Sequence, residues 1–293
     1  MTLLALFILV SAASSPDSQV MNSVHEWGVV VFGESGEVDC GGPWQQSVTY
    51  PEYGITQTYA PVVWIYGEPF SGTFQVDLTD GQNMGHLHPT ADLVEPNSAR
   101  WNISTIVTDT AANEEFYRSS TFEGPFEWAA SLWRAIPSLQ LRMDSFEVEE
   151  NFIYYDCSVR PEFTDHFFSW NTQGQPEFES YSLDDALLFS GEGLPDQVVW
   201  RNGEFIPLGR TTPPDMALEE ITKWVDSTLT KQETEALWLT WQPVFNQEGT
   251  RWLVFPIPEE FYGEISSITL FPDHGGEVEY RRFYLGAIRL SAQ

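Results

Sequence analysis

Two histidines placed two residues apart are the first candidates for chemistry in this chain. His86 and His88 precede Pro89, and in an extended segment this spacing puts both imidazoles on one face, as a metal site requires. Two ligands do not complete a site, so a third would come from His25, Glu26 or an aspartate. We expect a loop without a cofactor; the alternative is a divalent metal ion held at His86 and His88.

The sequence His25-Glu26-Trp27-Gly28 is a second candidate site. In a strand, His25 and Trp27 share one face and Glu26 takes the other. A functional interpretation is a polar binding cluster in a cleft. The structural interpretation is that His25 and Glu26 satisfy buried polar groups or an arginine, while Trp27 fills the core.

Glu248 and Arg251 form a third candidate pair, on either side of a glycine. They could act as an acid or base with an anion clamp, or as an ion pair that ties a helix end to a strand. Arg281, Arg282 and Arg289 also stand out in a chain with few cations. Any of them that faces the core would need a carboxylate partner.

The aromatic residues suggest sugar binding. The chain has 12 tryptophans and 43 acidic residues, which could line a glycan platform or a glycosidase cleft with two carboxyl groups. We expect several tryptophans to lie in the core and others to be exposed. The core set is Trp64, Trp101, Trp238 and Trp252, and the exposed set is Trp44, Trp128, Trp170 and Trp200.

Charge and motifs exclude several functions. The formal net charge is −30, with 13 basic residues, which argues against nucleic acid and anionic lipid as partners. Such an acidic surface suits a secreted protein. The sequence also lacks a phosphate-binding glycine loop, a dinucleotide fingerprint, a GxSxG elbow and an HExxH motif.

The N-terminus resembles an export signal in its composition. Leu3 to Val10 is a short apolar run followed by small residues, which predicts a signal peptide and spacer over 1–20 and a periplasmic or extracellular location. No later segment approaches 18 consecutive apolar residues, so we expect no transmembrane segment in the mature chain. In an exported protein, Cys40 and Cys157 are candidates for a disulfide, and two separate thiols are the alternative.

Period-two alternation predicts a mainly β chain. Phe74 and Val76 alternate with polar residues, Asn202-Gly203 marks a hairpin, and Trp252 to Phe255 is a continuous apolar run. Regularly spaced strands favour an antiparallel β-sandwich-like fold. Residues 21–293 form one large β-rich domain, or two packed β units with a boundary near 150–160.

One region is predicted to be helical. A first helix covers Met216 to Leu229, and a second begins at Lys231, giving a helical hairpin over about 214–247 inserted near the C-terminus. Thr230 and Glu233 stand at the spacing of a capping box. Pro243 should kink or shorten the second helix.

Five stretches carry a resemblance to a group of bacterial exported proteins. The run LTKQETEALWLTWQPVFNQEGTRWLVFPIP and the later RRFYLGAIRL resemble the C-terminal part of that group. VHEWG, APVVWIY and ENFIYYD agree in the same order. The resemblance covers most of the chain and implies a fold and an exported location, with no established activity.

Two functions follow from these observations. The first is a non-catalytic exported protein of the envelope or exterior that binds a glycan or a protein partner; exposed aromatic residues on a flat face would support it. The second is a metal-assisted hydrolase that uses His86 and His88 with His25 or Glu26. Convergence of these side chains on one pocket would support the hydrolase.

Overall fold

The structure is a computed structural model that is mainly β. It describes residues 22–32, 37–39, 47–49, 56–106, 122–123, 126–143, 148–170, 176–178, 186–190, 196–201, 204–211 and 214–290. The strands are β1 (Asn22–Phe32), β2 (Glu37–Asp39), β3 (Ser47–Thr49), β4 (Thr56–Tyr66), β5 (Ser71–Asp77), β6 (Met84–His88), β7 (Leu93–Glu95), β8 (Ser98–Ile106), β9 (Gln140–Met143), β10 (Val148–Glu150), β11 (Ile153–Val159), β12 (Ser169–Trp170), β13 (Pro176–Glu177), β14 (Ala186–Phe189), β15 (Asp196–Arg201), β16 (Glu204–Thr211), β17 (Arg251–Pro256), β18 (Ser267–Pro272) and β19 (Val278–Leu290).

The α-helices are fewer and mostly lie late in the chain. They are α1 (Ala130–Arg134), α2 (Pro214–Val225), α3 (Lys231–Phe245) and α4 (Tyr262–Ile265). Short 3₁₀ segments cover Glu127–Ala129, Pro161–His166 and Glu259–Phe261. Helices α2 and α3 contact each other, and α3 also contacts α1.

A nine-stranded sheet forms the centre of the described structure, in the order β16-β15-β14-β17-β19-β1-β4-β11-β6. The expectation of purely antiparallel pairing was wrong for its middle, because β1 and β19 pair in parallel over their shared length. A parallel pair needs a long connection rather than a hairpin, and here nearly the whole chain separates the two strands. The sheet is therefore mixed.

A six-stranded antiparallel sheet lies on one side, in the order β10-β9-β8-β5-β18, with β7 also paired to β8. One hydrophobic cluster joins the two sheets and includes Val24 and Val63 from the large sheet with Phe74 and Trp101 from the smaller one. A second cluster packs the helices on the opposite face of the large sheet. Two-stranded pairs β2-β3 and β12-β13 complete the described sheets.

Local sequence signals explain the late helices and strands. The capping box of α3 is confirmed: the Thr230 hydroxyl accepts from the Glu233 N–H, and the Glu233 carboxylate accepts from the Thr230 N–H. Pro243 lies inside α3, which continues to Phe245. Gly249 adopts a positive φ of 75° in the turn before β17, as a residue without a Cβ can.

Most predicted strands are present. Phe74 and Val76 point into the core between exposed or half-buried neighbours, and β17 is buried on both faces. The hairpin around residues 202–203 is confirmed by the pairing of Arg201 with Glu204, although 202–203 themselves lie outside the described residues. No helix in the described ranges is long and apolar enough to cross a membrane.

Candidate functional site

Strand β1 holds the four residues of the His25–Gly28 motif in the middle of the large sheet. Its alternation is as predicted: His25 points toward helix α3, and Trp27 packs in the cluster that contains the helices. Glu26 points the other way, toward Tyr155 and Ser266. The motif therefore links the layers on both sides of the sheet.

Glu26 lies in a closed network beneath the six-stranded sheet. It is fully buried, and its carboxylate accepts hydrogen bonds from Nε of Arg282 and, at 2.6 Å, from the hydroxyl of Tyr155. The remaining Arg282 nitrogens donate to the carbonyl and hydroxyl oxygens of Ser266 and to the Tyr284 hydroxyl, at 2.9, 2.7 and 3.2 Å. The parallel register places Arg282 directly beside Glu26.

Burial and charge stabilise one protonation state of this network. Burial raises the pKa of Tyr155, and the charge of Glu26 raises it further. Burial would lower the pKa of Arg282, but the neighbouring Glu26 outweighs that effect and the pKa is raised. The tyrosines therefore stay neutral and the arginine stays charged near neutral pH.

Trp27 and Gly28 contribute to packing rather than to hydrogen bonding. Trp27 is fully buried, with ring centroids 6.0 Å from Trp64 and 6.3 Å from Trp133. A Cβ on Gly28 would lie 2.7 Å from Cε1 of Tyr284, whose hydroxyl belongs to the Glu26 network. The glycine is needed because the tyrosine ring lies against the backbone.

On the helix side, His25 meets the capping residue of α3. Its Nδ1 lies 3.0 and 3.1 Å from the two carboxylate oxygens of Glu233. Glu233 is fully buried, and it also accepts from the Tyr66 hydroxyl at 2.6 Å. Burial alone would raise the pKa of Glu233, but hydrogen bonds from His25, Tyr66 and the Thr230 backbone lower it.

These contacts determine the tautomer of His25. An ionised carboxylate only accepts hydrogen bonds, so Nδ1 of His25 carries a proton and donates it to Glu233. Nε2 has no hydrogen-bond partner among the described residues, and the His25 side chain is 6% exposed. A carboxylate that orients an imidazole in this way is the arrangement of a general base.

His88 is tied into a third buried cluster rather than a metal site. Its Nε2 lies 3.2 Å from Glu150 Oε2, and the same oxygen accepts from Arg134 at 2.7 Å. Burial would raise the pKa of Glu150, but His88 and Arg134 lower it. The cluster joins α1 and the end of β6 to the end of β10.

His86 lies beside this cluster without joining it. Its ring centroid is 5.5 Å from Phe122 and 5.8 Å from Tyr154. Burial, and then the nearby His88, lower its pKa. In the part of the chain that the structure describes, no group of three or more His, Cys, Asp or Glu side chains could hold a metal ion.

The other predicted residues do not come together. Glu248 is exposed and Arg251 is half-buried, and within the described ranges no ion pair joins them. Cys157 is buried in the core between the sheets, whereas Cys40 lies outside the described residues. Their disulfide stays a prediction.

The described tryptophan side chains are buried or half-buried rather than exposed to solvent. Trp128 is half-buried, and Trp44 and the side chains of Trp170 and Trp200 lie outside the described set. The fully or nearly buried ones are Trp27, Trp64, Trp101, Trp133, Trp238, Trp241 and Trp252. The large aromatic side chain with the greatest exposure among described residues is Phe271, at 55%.

Sequence reasoning missed several partners in these clusters. Tyr66, Tyr155, Glu150 and Arg134 were not singled out, although each is a polar side chain inside or beside an apolar run. Arg282 was expected to need a carboxylate if it faced the core, and Glu26 is that carboxylate. Glu233 and Tyr66 thus contact His25 of β1, and Tyr155 and Arg282 contact Glu26.

Comparison with known proteins adds no relative. The chain matches no protein-family model, and no similar chain is found among curated proteins or solved structures.

Proposed function

We propose that this chain is an exported, non-catalytic protein of the envelope or cell exterior that binds a glycan or a protein partner. The observation that carries the proposal is that Glu26 and Glu150, both fully buried, are each held by an arginine and a second donor. Carboxylates whose oxygens are occupied in this way join layers of the fold, which favours a structural over a catalytic use of both residues.

Export and the finer fold belong to the same proposal. The apolar run Leu3 to Val10, the acidic charge and the resemblance to bacterial exported proteins support secretion. The hydrophobic cluster shared by the two sheets supports a sandwich-like arrangement, and the contact of α2 with α3 supports a helical hairpin.

The test measures binding, turnover and metal content on one preparation. The full chain is purified without a His-tag, titrated with soluble glycans in a calorimeter, and assayed for released reducing ends. We expect binding heat without released ends and no metal above background. Release of many product molecules per chain would contradict a non-catalytic function.

A hydrolase is the second candidate, and one contact favours it. Glu233 orients His25 so that Nε2 faces no partner among the described residues. In this form the base is His25 rather than the His86 and His88 pair. A His25→Gln variant should then lose any measured hydrolysis, whereas His274→Gln, at an exposed position, should keep it. Equal rates in both variants would remove this candidate.

A further inference from the structure

The outer face of the six-stranded sheet is a flat polar platform with one exposed aromatic ring. Strands β18, β5 and β8 pair without a register shift, so their outward side chains align in three rungs. The rungs are Phe271–Thr73–Asn102, Thr269–Gln75–Arg100 and Ser267–Asp77–Ser98. Leu93 of β7, 41% exposed, extends the middle rung beside Arg100.

Hydrogen bonds along and across the strands hold several of these side chains in place. The Thr73 hydroxyl donates to Oδ1 of Asn102 at 3.3 Å. Nε2 of Gln75 donates to both oxygens of Asp77 at 2.9 and 2.8 Å, and the Ser98 hydroxyl donates to Asp77 at 2.7 Å. The face is therefore ordered before any ligand arrives, which lowers the entropy cost of binding.

The chemistry of the platform fits sugars. Hydroxyl, amide and guanidinium groups offer both donors and acceptors, as the hydroxyls of a sugar require. Phe271, 55% exposed, supplies an apolar ring for the C–H face of a sugar ring.

Charge selects among glycans. The nine residues of the three rungs carry one positive side chain, Arg100, and one negative side chain, Asp77, and the exposed Glu95 of β7 extends the third rung beside Ser98 with a second negative charge. The whole chain, at −30, repels an acidic polymer at long range. A face with so few charges on such a protein is complementary to an uncharged partner.

We propose that this platform binds a neutral polysaccharide, with Phe271 as the stacking residue and Asn102, Gln75 and Arg100 as hydrogen-bonding residues. The proposal rests on the binding function above and names its surface and ligand class.

Among the described strands β18 is an edge strand, and its edge makes an extended peptide a less suitable occupant. The Leu270 N–H donates to the Tyr280 hydroxyl at 2.8 Å, Pro272 has no N–H, and the Pro272 carbonyl accepts from Gly275. Tyr280, the proline and the following turn occupy the groups that an added strand would need. A ligand on this sheet therefore meets the face and not the edge.

The experiment is affinity electrophoresis of the full chain in gels that contain one polymer each: amylose, xylan, galactomannan or hydroxyethylcellulose, with alginate as the acidic counterpart. We expect retardation by at least one neutral polymer, unchanged between low and high salt because no net charge is paired. Phe271→Ala should weaken it about tenfold, the loss of one interface anchor, and Asn102→Ala should also weaken it.

Leu239→Ala is the matched control, because Leu239 is 44% exposed on α3, on the opposite side of the large sheet. It should bind as the wild type does. All three substitutions are at exposed positions, and unchanged urea midpoints verify folding.

The outcomes separate the two proposals. Binding of a neutral polymer that Phe271→Ala and Asn102→Ala leave unchanged overturns the platform and keeps the binding function. Retardation by alginate alone, or capture of a protein with no polymer bound, also overturns the platform. Released reducing ends from a bound polymer would contradict the non-catalytic function, but they would leave the platform as the binding site.

Discussion

Glu26 and His25 are neighbours on β1 but have opposite surroundings. Glu26 is enclosed by Arg282, Tyr155 and Ser266, and every nitrogen of the arginine side chain donates within the network. His25 binds Glu233 through one nitrogen, while its other nitrogen has no partner among the described residues. The network around Glu26 leaves no nitrogen of Arg282 without an acceptor, whereas the nearly buried His25 ring keeps one nitrogen without a hydrogen-bond partner among the described residues.

The difference follows from what each face of the sheet packs against. The Glu26 face is covered by a second sheet, where an unpaired charge would be costly. The His25 face meets the N-terminus of α3, whose capping carboxylate is already ionised and held by Thr230. His25 therefore needs to supply only one hydrogen bond to that side of the fold.

The largest expected effect comes from opening the closed network. Arg282→Met leaves the charge of Glu26 buried and unpaired, so we expect a loss of about 3–5 kcal/mol in the free energy of unfolding. Arg281→Met is the matched control, since Arg281 lies one residue away and pairs with Glu279 at the surface. It should change stability by at most about 1 kcal/mol. Urea unfolding of both variants measures this, and equal losses would refute the comparison.

A smaller loss should follow from removing the carboxylate on the helix side. Glu233→Gln ends charge-assisted hydrogen bonds from His25, Tyr66 and the Thr230 backbone, and we expect a loss of about 1.5–3 kcal/mol. Glu235→Gln, in an exposed pair with Lys231, should cost about 0.5 kcal/mol or less. If Glu233→Gln costs no more than Glu235→Gln, the link between β1 and α3 is not stabilising.

The packing around the Glu26 network also depends on Gly28, which lies against Tyr284. Gly28→Ala pushes a methyl group against the buried ring of Tyr284, and we expect a loss of about 1–3 kcal/mol. Gly263→Ala, which meets nothing within 4 Å in helix α4, should be neutral or slightly stabilising. Thermal unfolding distinguishes the two, and an unaffected Gly28→Ala variant would mean that the ring moves at no cost.

The smallest expected effect is a pH dependence of the free energy of unfolding, caused by His86 of β6. Its folded pKa is below the ordinary 6.5 because of burial and His88, so the unfolded chain binds the proton first. Stability is complete above pH 6.5 and falls as the pH drops through the folded pKa. Glu233 and Glu150 have pKa values lowered from 4.5 and should add a separate loss below that pH.

His86→Gln should flatten the first part of that decline, and His274→Gln, at an exposed position, should not. Urea midpoints measured from pH 8 to pH 4 provide the comparison. A decline that begins at the same pH in His86→Gln would show that another group causes it.

The parts of the fold that could be predicted are those that depend on local sequence signals. The face assignment of His25 and Glu26, the capping box at Thr230 and the buried β17 depend on short-range spacing, and the structure confirms them. The parallel pairing of β1 with β19 depends on contacts between opposite ends of the chain, for which alternation gives no signal.

The same limit applies to the site. Arg282 could be recognised as an arginine that needs a partner, but only the register beside β1 identifies Glu26 as that partner. Glu233 was assigned as a helix cap, and its second role with His25 requires the packing of α3 on the sheet. His86 and His88 share a strand face as expected, yet the nearby Glu150 is already held by Arg134.

The protonation pattern of His25 tests the open side of β1 most directly. Long-range ¹H–¹⁵N correlation spectra of the full chain, recorded from pH 5 to pH 9 and assigned with His25→Gln, report the proton on each ring nitrogen. We predict that the neutral ring carries its proton on Nδ1, which donates it to Glu233. A neutral ring with its proton on Nε2 would contradict the contact with an ionised Glu233.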